Sequence, residues 1–158
     1  MSVKNDDAGN ILERETDATI DGWYQRVEKE EDLAAIKLSH EQRCAHLPEM
    51  FRDIITRLRN PHPLGTRALM SDAAHHHGCL RREQGYTAAM LVEESRILQV
   101  SIFHTLQLSI TDMKPDSVLL DVMEIADEVD SQLAQAMTGF ISEGRRGSKL
   151  SNRKSPTK

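Results

Sequence analysis

The sequence predicts an all-α fold, and three observations carry that expectation. Aromatic residues make up only 4% of the 158 residues, so the core must be built from Leu, Ile, Val, Met and Ala. That palette favours helices over sheets. Apolar residues recur at three- and four-residue spacing, and no stretch alternates with period two for long enough to make a strand. Breakers fall between the periodic runs, at Asn60-Pro61-His62-Pro63-Leu64-Gly65, Gly85-Tyr86 and Lys114-Pro115-Asp116. Short connections between the later helices favour antiparallel neighbours. The architecture expected is an antiparallel helical bundle of four main helices plus an N-terminal helix.

The elements follow in order. Residues 1–9 read as a disordered N-terminus. A first helix from about Asn10 to Glu28 places Ile20, Trp23 and Val27 on one face. The acidic run from Glu28 to Asp32 reads as a solvated end or connector. Ser39 and Gln42 form a capping-box pattern that opens the second helix. Its stripe is Leu47, Phe51, Ile54, Ile55 and Leu58, and Pro48 divides it into a short turn and a longer piece, since proline fits a first helical turn. The third helix is expected over Thr66 to Glu83, with Leu69, Ala73, His77 and Leu80 sharing a face. Gly85 is placed to end it in a left-handed conformation. Thr87 caps a fourth helix running to about Thr111, with Leu91, Glu94, Leu98, Ile102 and Leu106 in its stripe. Asp116 or Ser117 caps a fifth helix ending near Ser142, whose stripe includes Val118, Val122, Ile125, Val129, Leu133, Ala136 and Phe140. The folded domain is thus expected over residues 10–143, followed by a basic disordered tail at 144–158.

Charge narrows the partners. The net charge is −5, but residues 144–158 carry six basic residues and no acid, which leaves −11 on the remainder. An acidic body disfavours nucleic-acid binding, because the phosphate backbone demands a basic face. No apolar run reaches the length of a membrane span, and the N-terminus lacks the apolar segment of a signal peptide. A cytoplasmic location is expected, with Cys44 and Cys79 as free thiols.

One position conflicts with this pattern. Glu94 lies three residues after Leu91 and four before Leu98, so a carboxylate falls within an apolar stripe. Buried alone it would cost several kcal/mol or be forced neutral. His77 and Arg81, four apart on the preceding helix, face the same way across the Gly85-Tyr86 turn. A His77–Arg81–Glu94 cluster with the Tyr86 hydroxyl resolves the conflict, and Gly78 would let helices three and four approach closely. Arginine suits the role because it binds a carboxylate bidentately. The cluster reads either as a pin for helix register or as a ligand-binding or switch cluster of His77, Arg81, Tyr86 and Glu94.

Catalysis has little support, since no nucleophile elbow, phosphate loop or dinucleotide fingerprint occurs. No catalytic residue, metal ligand or cofactor is assigned. His75 and Cys79 share a helix face, but His75, His76 and His77 point in three directions and cannot chelate together. His104 reads as a partly exposed bundle histidine.

Several of these residues form a recognisable run. They are Trp23, His46-Leu47-Pro48, His77-Gly78 with Arg81 and Gln84-Gly85-Tyr86, and Leu91-Val92 with Glu94, Arg96 and Leu98. Over roughly residues 15–142 the chain resembles the N-terminal domain of the RsbRD type of RsbT co-antagonist, which also stands at the N-terminus of bacterial sensor histidine kinases. The resemblance implies an all-α, dimeric sensory or regulatory domain of bacterial signalling, with a protein partner in a signalling pathway such as stress-response regulation. His77, Arg81, Gly85, Tyr86 and Glu94 match the family run and carry over as a candidate site. In that family an output domain follows; here only the basic tail follows the bundle, so the chain reads as a free-standing regulator or part of a larger protein. Two alternatives compete with a non-enzymatic signalling module: a histidine phosphotransfer-like bundle, and a metal-binding helical bundle.

Overall fold

The computed structural model describes residues 6–66 and 70–152, and among them it is helical with no strand. Eight α-helices follow one another: α1 Ala8–Arg14, α2 Thr16–Val27, α3 Glu31–Ala35, α4 His40–Cys44, α5 Leu47–Arg59, α6 Asp72–Glu83, α7 Ala88–Leu108 and α8 Val118–Asn152. A single 3-10 turn, Ile110–Asp112, lies before α8. No helix among the described residues is long and apolar enough to cross a membrane.

The expected first helix is two helices. At Glu15 the backbone leaves the helical region, with φ −101° and ψ 13°. Beside this break the Thr16 hydroxyl donates to the Leu12 carbonyl at 2.6 Å. The start is earlier than the sequence suggests. Asp7 accepts from the Asn10 amide at 2.8 Å, α1 begins at Ala8, and Ala8, Ile11 and Leu12 are buried. The acidic connector also gains structure, because Leu33 is buried in α3.

Ser39 and Gln42 form the expected reciprocal capping box, and Pro48 sits in the first turn of α5. The third helix is shorter than expected and begins at Asp72, not Thr66; the expected Leu69 lies outside the described residues. Ser71, itself extended, is the N-cap of α6. Its Oγ accepts from the Ala74 amide at 3.2 Å and donates to Asp53 at 2.6 Å. The buried face of α6 is Ala74, His77, Gly78 and Arg81, so Ala73 and Leu80 lie at its margin. Helix α8 continues to Asn152, so residues 144–152 extend a helix where a disordered tail was expected.

Two pairings organise the later helices. Gly78 of α6 meets Ala136 of α8, and Gly139 of α8 meets His75 of α6, so the two run antiparallel. They approach so closely that a Cβ on Gly78 would lie 1.7 Å from the Ala136 carbonyl oxygen. Sequence reasoning had assigned Gly78 to the α6–α7 approach; it serves α6–α8 instead. Helix α5 also runs antiparallel to α8, with Arg57 beside Glu124 and the Met50 carbonyl beside Gln132.

The inward face of α8 is more polar than its apolar stripe indicates. Glu124, Glu128, Gln132 and Gln135 are all buried, along with the apolar Ile125, Val129, Ala136 and Phe140. Arg57, 1% exposed, serves three carboxylates. Its Nε donates to Glu124 at 2.6 Å, one terminal nitrogen donates to Asp127 at 2.7 Å, and the other lies 3.5 Å from Glu128. Glu128 is the least well placed. Burial pushes its carboxyl up to about 7, with Asp53 and Asp127 adding to the effect and Arg57 and Gln132 opposing it.

A pH dependence follows. An unfolded Glu titrates near ~4.3, so between there and neutrality the folded state holds the extra proton and stability falls as pH rises. Glu128→Gln is expected to gain about 1–3 kcal/mol over the native chain at about pH 8 and almost nothing at about pH 5. Denaturant titrations at the two pH values test this; an equal effect at both would show that Glu128 does not titrate in this range.

Candidate functional site

The α6–α7 turn builds the site. Helix α6 ends in a Schellman arrangement, with the Tyr86 amide donating to the Arg81 carbonyl at 3.0 Å and the Gly85 amide to Arg82 at 3.1 Å. Gly85 has φ 92°, the left-handed conformation that glycine adopts without a Cβ penalty. Thr87 then accepts from the Met90 amide at 3.2 Å and starts α7. This compact reversal points Arg81, Tyr86 and Glu94 at one another.

All four residues singled out by the sequence meet there. Glu94 is 3% exposed and Arg81 fully buried. Arg81 donates to Glu94 from a terminal nitrogen at 2.7 Å and from Nε at 3.0 Å, a bidentate pairing. The Tyr86 hydroxyl lies 3.4 Å from the same carboxylate, and His77 Nε2 lies 3.4 Å from its Oε2. Arg81 is satisfied beyond this pair. It also donates to the Arg43 carbonyl at 2.7 Å and to Gln84 at 2.7 Å. The indole of Trp23 donates to the Glu94 backbone carbonyl at 3.2 Å, fixing α2 against α7 at the same residue.

Two participants were not foreseen as site residues. Arg43, buried in α4, donates to the Tyr86 hydroxyl at 2.9 Å and to the carbonyls of Ile36 at 2.7 Å and Leu33 at 3.2 Å. His46 stacks on His77, with ring centroids 3.7 Å apart and planes 13° from parallel, and meets the Trp23 edge. The signal for His46 was present, since it immediately precedes the apolar stripe at Leu47. Arg43 carried none, because a basic residue in a short helix reads as solvated.

Electrostatics follow from burial and neighbours. Burial pushes the Glu94 carboxyl up, but contact with His77 and the charge and hydrogen bonds of Arg81 overcome it, leaving Glu94 below the ordinary range. Burial pushes both His77 and His46 down, His46 well down, and the neighbouring Arg81 adds to each shift. Both rings are therefore neutral at neutral pH. Burial, aided by the Glu94 charge, pushes the Tyr86 phenol up to about 12.

A cavity of about 20 Å³ opens beside the imidazoles, lined in part by Trp23, His46, His77, Glu94 and Gln132. Two of these residues each carry a buried polar atom with no hydrogen-bond partner, His77 Nδ1 and Gln132 Oε1. The space suits one water-sized occupant.

The other histidines lie apart. His75, His76 and His104 are exposed. Cys79 donates to the Gly139 carbonyl at 3.4 Å and lies 3.9 Å from His75 Nδ1, so that pair belongs to the α6–α8 seam. Cys44 and Cys79 are free thiols. No family model, no curated protein and no solved structure matches this chain.

Proposed function

We propose that the chain is a non-enzymatic input module of bacterial signalling, as its resemblance to the RsbRD-type N-terminal domain implies. In this reading α5, α6, α7 and α8 are the four main helices of an antiparallel bundle. The module forms a homodimer, acts on a protein partner in the cytoplasm, and passes the state of the Glu94 cluster along α8. The observation that carries the reading is Glu94 itself, a buried carboxylate tied to Arg81 of α6, and through Tyr86 and Arg81 to Arg43 of α4. Such a network holds several elements in one arrangement, and it loosens together when a member changes charge or partner. The small cavity favours a positional or ionic signal over an organic substrate.

Hydrogen exchange tests the coupling. Glu94→Gln keeps the side-chain shape and removes the charge. Amide exchange is expected to rise about tenfold in α6 and in residues 140–152 of α8, as well as in α7. A change confined to the turn of α7 around residue 94 would mean that the cluster only pins helix register.

A further inference from the structure

We propose that His46, His77 and Glu94 bind one divalent transition-metal ion of the zinc class at the cavity they line. This names the input that the reading above leaves open.

Three observations converge. One ligating atom from each of the three side chains lies within 4.8 Å of the others. His77 Nε2 and Glu94 Oε2 stand 3.4 Å apart, close to the ~3.4 Å edge of a tetrahedron with bonds of about 2.0–2.1 Å. Finally, His77 and Gln132 both line that cavity, and His77 Nδ1 and Gln132 Oε1 are buried with no hydrogen-bond partner. When Nε2 of a histidine ligates a metal, the proton resides on Nδ1 and needs an acceptor. Gln132 Oε1, buried without a donor on the wall of the same cavity, is the candidate acceptor.

The donor set selects the class of ion. Two imidazole nitrogens and one carboxylate oxygen suit zinc, nickel, cobalt or iron, whereas calcium and magnesium prefer oxygen donors. The Arg81 guanidinium repels a dication but does not block it. Its terminal nitrogen holds Glu94 Oε1 at 2.7 Å, and its Nε, 3.0 Å from Oε2, is also 3.2 Å from Oε1, so Nε can keep Oε1 while Oε2 turns to the ion. In that state Arg81 fixes the ligating carboxylate from behind. The moving part is His46. Its backbone opens α5 with no side-chain cap bond, and its ring is held by the stack on His77 and the Trp23 edge. Turning that ring closes the site.

The test uses the untagged full chain, stripped with a chelator. Isothermal titration with Zn²⁺ and the visible spectrum of Co²⁺ are the readouts. One ion per chain is expected, with a tetrahedral-type Co²⁺ band. His46→Ala and His77→Ala are each expected to weaken binding at least tenfold. His75→Ala/His76→Ala, at exposed positions, is expected to leave binding unchanged. His46 is half-buried, so its variant keeps the fold, which circular dichroism verifies. No binding, binding unchanged by His46→Ala, or binding lost with His75 and His76 would overturn the proposal. The exchange response of Glu94→Gln is measured without metal, so the input-module reading is judged separately.

Discussion

Gly78→Ala is expected to destabilise the chain by more than about 3 kcal/mol, and to leave it largely unfolded if its total stability is modest. An exposed glycine in a helix interior gives the opposite result, a gain of about 0.5–1 kcal/mol on replacement by alanine. The sign is therefore diagnostic. A Cβ at Gly78 would sit 1.7 Å from the Ala136 carbonyl oxygen, and one at Gly139 would sit 2.1 Å from the His75 carbonyl oxygen. Both obstacles are backbone atoms of the opposite helix, so no rotamer change relieves them. Helices α6 and α8 must separate, and the packing along their shared face goes with them. Gly139→Ala is expected to behave similarly. Thermal and denaturant unfolding measure both, and a neutral or stabilising result would mean that the helices lie further apart than described.

Arg81→Met is the second large effect. The substitution keeps much of the apolar stem but removes the guanidinium that serves Glu94, Gln84 and the Arg43 carbonyl. Glu94, 3% exposed, is then a buried carboxylate without its cation. Breaking a buried pair from one side costs about 3–5 kcal/mol. The loss is expected to shrink at acid pH, where Glu94 can take up a proton. A loss below about 1 kcal/mol at neutral pH would place Glu94 in contact with water.

Much of this arrangement was legible as conflict within a pattern. Glu94 stood out because it interrupted the stripe of Leu91, Leu98 and Ile102, and the only nearby bases on a facing helix were His77 and Arg81. Gly85 and Thr87 signalled the turn and the cap that bring them together. Arg57 was legible by the same logic, three residues after Ile54 in the α5 stripe. The acids that answer it were hidden for a physical reason. Helix α8 carries enough Val, Ile, Leu and Ala to make an apolar stripe, and Glu124 and Glu128 fall outside that stripe. Burial on a helix packed by α5, α6 and α7 covers more than one stripe, and periodicity alone does not show how wide the covered face is. The helix break at Glu15 was equally hidden, since neither a glycine nor a proline marks it and the apolar spacing runs through it.

The central claim is that Arg81 and Glu94 are one buried, mutually dependent unit. A double-mutant cycle of Arg81→Met and Glu94→Leu, read by denaturant unfolding at neutral pH, measures that dependence directly. The double variant is expected to be more stable than the sum of the single losses implies by at least about 2 kcal/mol, because neither charge is left unpaired. Additivity within about 0.5 kcal/mol would contradict the claim.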